Sequence, residues 1–351
     1  MPTEDRRAQR KLDHLRYFRQ DNSKRSSGLE DVHFIHQALP EINLEEISLS
    51  CRWLGKTLAA PFIINALTGG PPETVAINAS LARVARRTGI AMAVGSQKAA
   101  LDDPAMRPSF TVVREENPGG LILANIGCGA RPEEAAEAVE MISADGLQLH
   151  LNTPQELFMQ EGERLFREWR HNLASVCRAL RVPVIAKEVG FGLARETALA
   201  LFLSGVRLLD VGGAGGTNFL AIEGRRAGQK NGVLEWGIPT AVSLVEVVSL
   251  NLPVQVIATG GIRSPLDAAK ALALGADLVG IAGYFLEVLV DAGEEALVAE
   301  IESWKETLRY ICLMVGAKAP EELRRKPLII TGRTREWLLA RGVDVERFGR
   351  R

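Results

Sequence analysis

The stretch PVQVIATGGIRSPLDAAKALALGADLVGIAG, residues 253–283, decides the fold. Its opening apolar run is short and ends on paired glycines. A Ser-Pro step then opens an Ala- and Leu-rich segment that closes on Gly275. Proline just inside a helix and glycine just past its end are the ordinary start and stop signals. Leu266, Ala269, Leu272 and Ala273 fall on one helical face, as packing on a sheet requires. A second apolar run, 278–283, follows at once. Buried strand, amphipathic helix and buried strand make a βαβ unit with parallel strands.

Upstream the same unit recurs. Short apolar runs ending in glycine or a small polar residue lie at 61–66, 90–96, 121–127, 147–152, 183–190 and 207–213. With 253–261 and 278–283 they make eight strands. Segments of helical character lie between them, among them 73–89, 132–146, 193–205 and 264–277. Eight consecutive units imply closure into a (β/α)₈ barrel, the TIM-barrel architecture of the α/β class. The competing doubly wound sheet would carry G-x-G-x-x-G after its first strand. Residues 212–217 read GGAGGT, which breaks that spacing, and no Walker A sequence occurs. No Ser/Gly-rich linker divides the chain. The expected organisation is one domain, with an N-terminal extension (1–60), a barrel (61–290) and C-terminal helices with a basic tail (291–351).

Composition narrows the functional classes. The chain has 351 residues, 46% hydrophobic and only 5% aromatic, with 33 glycines and a net charge of −1. That balance offers no field for nucleic acid and no base-stacking platform. No run approaches a membrane span, and the charged N-terminus lacks the apolar core of a signal peptide. A cytoplasmic enzyme is therefore expected. Cys51, Cys128, Cys177 and Cys312 are far apart and form no metal-binding spacing, so they are read as ordinary thiols. Residues 1–25 hold an excess of Lys and Arg, which charge alone reads as a solvated arm.

Barrel chemistry belongs at the carboxyl ends of the strands. Those ends read Ala66–Gly70, Gly95–Lys98, Asn125–Gly127, His150–Asn152, Lys187–Glu188, Asp210–Gly212, Gly260–Arg263 and Gly280–Gly283. A purely structural barrel needs no such ring of polar groups, so a ligand site is expected. The glycine-rich loops after strands 7 and 8 precede helices and suit a phosphate, with Arg263 and the Gly215–Thr217 turn adding donors. His150 and Asn152 are two apart on a strand and point the same way, with Gln155 and Glu156 just beyond. Glu156 either stabilises the helix start there or holds Mg²⁺ that completes its shell with substrate phosphates.

Taken in order, RKLDH (10–14), NALTGG (65–70), GSQKAAL (95–101), ANIG (124–127), HLNTPQE (150–156) and KEVGFG (187–192) form one pattern. VGGAGGTNF (211–219), WGIPT (236–240) and the 259–277 segment continue it. The pattern resembles the type 2, FMN-dependent isopentenyl-diphosphate isomerases along essentially the whole chain. The resemblance implies FMN at the barrel mouth against Ala66, Leu67, Thr68, Gly69, Ser96 and Asn125. Lys187 would lie against the flavin ring, and the FMN phosphate would meet Thr217, Gly261, Ile262, Arg263, Ala282 and Gly283. A substrate diphosphate would meet Arg10, Lys11, His14, Ser96, Gln97, Lys98 and His150, with Gln155 near the isoprene. The basic arm thereby becomes a ligand-binding segment. Glu156 would hold Mg²⁺, while His150, Asn152, Gln155 and Lys187 form the catalytic set.

The resemblance further implies NADPH or NADH as the reductant that regenerates the flavin, and a homo-oligomer of four or eight copies. Leu67 stands where these enzymes usually carry Met, Gly283 where a larger residue is common, and Lys98 where Arg is common. The last change removes bidentate phosphate binding at that position. Two other flavin-barrel chemistries fit less well. An α-hydroxy-acid oxidase wants a histidine near the later strands, and the last histidine is His171. An IMP-dehydrogenase-like enzyme wants a cysteine after strand 6, and residues 212–219 hold none.

Overall fold

The computed structural model describes residues 25–159, 162–227 and 234–351. Arg10, Lys11 and His14 lie outside the described residues. Eight parallel strands close into a barrel: β1 (Phe62–Ile64), β2 (Ala91–Ala93), β3 (Ile122–Gly127), β4 (Gly146–Leu151), β5 (Val184–Glu188), β6 (Leu208–Asp210), β7 (Gln255–Thr259) and β8 (Leu278–Ile281). Each strand pairs with its sequence neighbour, and β8 closes on β1 through Val279–Phe62 and Ile281–Ile64. The eight strands and the barrel architecture expected from sequence are all present.

Alternation along the strands sorts the core into two compartments. Phe62, Ile64, Ile122, Leu147, Leu149 and Val279 point outward and pack under the helices. Ile63, Ala93, Leu123, Ile185, Leu208, Ile257 and Leu278 point inward and form a separate cluster. A hairpin formed by Cys51–Trp53 and Lys56–Leu58 closes that cluster by inserting Trp53 and Leu58. The barrel thus has an apolar floor. Two residues further along the strands, the inward positions become polar: Asn65 follows Ile63, Asn125 follows Leu123, Lys187 follows Ile185, Asp210 follows Leu208 and Thr259 follows Ile257.

The outer helices follow the expected capping chemistry. In Pro265–Leu274 the Ser264 hydroxyl accepts from Asp267 N at 3.1 Å, and the helix ends on Gly275 at φ 123°. One detail differs from the expectation. Leu266 is 44% exposed, whereas Ala268 through Leu274 are all buried. The reason is that this helix is covered on more than the sheet side. The 3₁₀ turn Pro320–Arg325 and the long helix Gly283–Met314 both pack against it, and its Lys270 ammonium donates to Leu29 O at 2.8 Å.

The segments flanking the barrel meet each other. Val32–Phe34 pairs antiparallel with Leu328–Ile330. Helix Gly332–Ala340 packs on helix Thr240–Val248, and Arg341 beyond it joins Glu246 at 2.8 Å and Glu196 at 2.6 Å. The long helix Gly283–Met314 is broken at Gly293, whose φ is 88°. Beyond the break it presents Trp304 edge-on to Phe62, ring centroids 6.1 Å apart.

Phe62 is fully buried where β1, the closing strand β8 and that helix converge. Phe62→Ala leaves a cavity the rigid barrel wall cannot collapse into. We expect a loss of about 3–5 kcal/mol, read by chemical denaturation; a loss under about 1 kcal/mol would mean that the helix is not anchored there.

Candidate active site

Above the polar layer the barrel opens into a cavity of about 940 Å³. Most residues expected at a ligand site converge on it. On one side stand Ala66, Leu67, Thr68, Ser96 and Asn125, from the ends of β1 to β3. On another stand Thr217, Gly261, Ile262, Arg263, Ala282 and Gly283, from the loops after β6, β7 and β8. His150, Asn152, Gln155 and Glu156 form a third wall, with Lys187 at the base.

Two expected residues are placed elsewhere. Gly69 does not reach the cavity, because the Phe110 ring packs where its Cβ would stand. Gln97 is fully buried beneath the wall: its amide donates to Ala138 O at 2.8 Å and accepts from Asn125 N at 3.0 Å. It therefore supports Asn125. Lys98 lines the cavity, but its ammonium lies between Glu134 at 2.8 Å and Asp102 at 2.9 Å.

The donors present fit a flavin mononucleotide. Thr68 is 3% exposed, and its Oγ1 finds no hydrogen-bond partner among the described residues. An unsatisfied buried hydroxyl is uncommon, and Thr68 borders the cavity, so a ligand there is its natural partner. At the other end, Gly261 takes φ 70°, and a Cβ there would overlap the Gly215 backbone, so the two loops lie backbone against backbone. The helix beginning at Gly283 has no side-chain cap, leaving its first N–H groups and positive dipole end for an anion. The unpartnered hydroxyl at Thr68 and an anion cradle at Gly261–Arg263 and Ala282–Gly283, both bordering the cavity, suit the two ends of FMN.

Below this lies a buried hydrogen-bonded chain. The Lys187 ammonium donates to Asp210 Oδ2 at 3.0 Å, and Asn65 Nδ2 donates to the same oxygen at 2.6 Å. Asn65 also donates to Thr259 Oγ1 at 2.7 Å and accepts from Gln148 Nε2 at 2.9 Å. Gln148 accepts from Asn125 Nδ2 at 3.2 Å, and Asn125 Oδ1 contacts His150 Nδ1 at 2.8 Å. Asp210, Asn65 and Gln148 have no exposed surface. Gly280 leaves room for the Asn65–Thr259 bond, since a Cβ there would strike Thr259 Oγ1.

The third wall is organised by its own bonds. Asn152 Nδ2 donates to Glu156 Oε1 at 2.8 Å, and Glu163 N donates to Oε2 at 2.8 Å. Gln155 Nε2 reaches Glu223 Oε1 at 3.4 Å. Glu223 is buried and salt-bridged to Arg226 on the helix Phe219–Ala227. Among the described residues no cluster of three or more His, Cys, Asp or Glu could cage a metal. Glu156 is instead a lone carboxylate at the cavity wall, its two oxygens accepting from Asn152 and from Glu163 N. Burial pushes the Cys51, Cys128 and Cys312 thiols up to about 12, which disfavours their thiolate forms.

Sequence reasoning missed Gln148 and Glu223 as site residues. Strand alternation could have found Gln148, two residues before His150 on the same face. Glu223 carries no local signal, because the loop after β6 brings its helix across the barrel mouth.

A parallel barrel with a glycine-lined cavity at the carboxyl ends of its strands fits the FMN-dependent dehydrogenase class. A family profile of that description matches residues 127–330. Solved mandelate oxidase structures share the fold. A variant holding a monooxide FMN adduct superposes with TM-score 0.66 at 17% identity, over 87% of this chain and 90% of that one. Another, with 2-hydroxy-phenylacetamide, gives 0.65 at 17% identity over 94% and 97%. Sequence carries the assignment further. Isopentenyl-diphosphate delta-isomerases of Moorella thermoacetica and Bacillus licheniformis are 65% and 48% identical to this chain over 336 and 340 residues, covering 95% and 96% of it and 97% of each relative. The chain belongs to the isopentenyl-diphosphate delta-isomerase family.

Two measurements probe this geometry. Thr68→Val should weaken FMN binding about fivefold to tenfold, the net worth of one hydrogen bond; unchanged affinity would mean that the hydroxyl meets no flavin atom. Glu188, at the end of β5, accepts from Phe191 N at 2.6 Å and Gly192 N at 3.0 Å, yet burial pushes its carboxyl up to about 8. A carboxyl that titrates higher when folded favours folding while protonated, so its contribution is present below its ordinary 4.5 and lost as pH rises toward 8. Glu188→Gln should flatten that part of the stability–pH curve, and identical slopes in the two proteins would rule this out.

Proposed function

We infer that this chain interconverts isopentenyl and dimethylallyl diphosphate with FMN bound in the cavity. The observation that carries the reading is the wall opposite the flavin cradle. His150, Asn152, Gln155 and Glu156 face the cavity there, and His150 is the sole histidine lining it among the described residues. A hydroxy-acid oxidation would require a histidine base from the later strands.

The reaction adds a proton to the terminal methylene of the alkene, leaves a tertiary cation at the branched carbon, and removes a proton from the methylene between that carbon and the one bearing the diphosphate. Reduced FMN, when bound, supplies the acid and the base for these transfers, so no net redox change occurs. Lys187, buried against Asp210, holds a fixed positive charge at the base of the cavity, suited to a flavin carrying negative charge. Met159, Phe219, Ile222 and Leu286 line the cavity and keep water from quenching the cation. Gln155, held by Glu223, orients toward the isoprene; a neutral amide is a weak acid or base, so positioning is its main task. Glu156 would hold Mg²⁺ on the diphosphate. His150, the turn at Ser96 and the basic residues Arg10, Lys11 and His14 would complete the anion site. NADPH or NADH would reduce the flavin. The enzyme would act in cytoplasmic isoprenoid synthesis as a tetramer or octamer. No described helix is long and apolar enough to cross a membrane.

The assay incubates isopentenyl diphosphate with the protein, FMN, Mg²⁺ and NADPH and looks for dimethylallyl diphosphate. A colourless protein without FMN affinity, or no product from the flavin-loaded enzyme, would overturn the reading. Lys187→Ala should lower kcat/KM by at least about a hundredfold, the scale of losing one preorganised electrostatic group. Retained flavin binding with full activity would remove Lys187 from its role.

A further inference from the structure

We propose that Thr240 is a positioning residue for the flavin phosphate: its hydroxyl holds the Gly260–Gly261 peptide so that the Gly261 N–H faces the anion. The proposal rests on the placement of the FMN phosphate at Gly261–Arg263 given above.

Thr240 opens the helix Thr240–Val248 and has no exposed surface. It stands behind the loops after β6 and β7 and offers each of them one donor. Its backbone N–H donates to Ala214 O at 3.1 Å. Its Oγ1 lies 2.7 Å from Gly260 O and 3.0 Å from Ala214 O. A hydroxyl has a single hydrogen to give. Ala214 O already receives the backbone N–H, and the Gly260 contact is the shorter, so the hydroxyl hydrogen belongs to Gly260 O. Thr240 is itself held firmly. The next N–H, of Ala241, donates to Ser27 O at 2.9 Å. The Gly213 backbone passes so close that a Cβ there would overlap the Thr240 Cα.

The bond fixes a peptide that has a glycine on either side. Gly260 takes φ 119° and Gly261 φ 70°. With no Cβ atom at either end, the plane between them can turn over at little steric cost. The peptide is trans, so its C=O and N–H point in opposite directions. Gly260 and Gly261 line the cavity and Thr240 does not. Tying the oxygen back to Thr240 therefore turns the Gly261 N–H toward the cavity, and among the described residues no acceptor takes that hydrogen. A peptide turned over would present its carbonyl oxygen to the anion and repel it. Thr240 thus acts on the phosphate end of the flavin alone. Riboflavin, which has the ring and the ribityl chain but no phosphate, draws nothing from it.

The test titrates the full-length protein, freed of flavin, with FMN and separately with riboflavin, following the quenching of flavin fluorescence. The parent should bind FMN at least about a hundredfold more tightly, because the cradle combines a cation, backbone N–H groups and a helix end. Thr240→Val keeps the volume and removes the donor; it should weaken FMN about tenfold and riboflavin less than about twofold. Thr240→Ser keeps the hydroxyl and should bring FMN affinity back to within about threefold of the parent. Equal losses for the two flavins in Thr240→Val, or unchanged FMN affinity, overturn the role, since a general loosening of the loops would not tell them apart. FMN that binds the parent no more tightly than riboflavin refutes the phosphate placement and the proposal with it. A parent that discriminates, beside a Thr240→Val protein that discriminates as strongly, removes Thr240 alone. Hydrogen–deuterium exchange of the parent needs no variant to fold: FMN should slow exchange in the segment 258–264 and riboflavin should not. Equal protection by both flavins overturns the proposal.

Discussion

A carboxylate with no exposed surface sits inside the barrel, and the site is arranged around satisfying it. Burying an isolated carboxylate costs several kcal/mol unless it is paired and hydrogen-bonded. Asp210 is answered by a cation, a backbone N–H and an amide, and each partner brings further requirements. Lys187 is held at the base of the cavity. Asn65 is fully used, with both amide hydrogens and both lone-pair directions taken. The demand passes from Asn65 to Gln148 and Asn125, and so reaches the wall where an anion would bind.

The apolar floor makes this polar layer possible. The inward residues one pleat below, from Ile63 to Leu278, with Trp53 and Leu58 plugging the open end, exclude water from beneath Asp210. Without that floor, water would satisfy the carboxylate and the amides would have no reason to align. The same strands supply both layers, two residues apart, so the change from structural core to chemical site occupies a single pleat. Similarity to mandelate oxidases at 17% identity reflects the shared barrel. The wall that carries His150, Asn152, Gln155 and Glu156 is built by β4 and the helix after it.

Much of this was legible in the sequence because it is local. Strand runs, Pro and Gly punctuation and glycine loops are short-range signals, and they located the eight strands and the mouth. Residues with a strong chemical identity at a strand end, such as His150 and Lys187, were also visible. The difficulties arose where tertiary contacts decide. Gln97 has the same local context as Ser96, yet it turns under the wall because Ala138 O and Asn125 N are there to receive it. Leu266 follows the helical period but lies outside the covered arc. Glu223 enters the site from a helix whose position depends on the whole loop after β6.

The antiparallel ribbon between Val32–Phe34 and Leu328–Ile330 bears on how the molecule is made. It joins segments 300 residues apart in sequence, through contacts such as Thr331 with Asp31. A growing chain can close barrel strands in order as they appear, but Val32–Phe34, ahead of the barrel, has no strand partner until Leu328–Ile330 has been synthesised. Closing so long a loop costs little more entropy than closing a shorter one, yet it has to come late. The ribbon therefore acts as a completion signal: Val32–Phe34 gains its strand partner only once the chain has been made through Ile330.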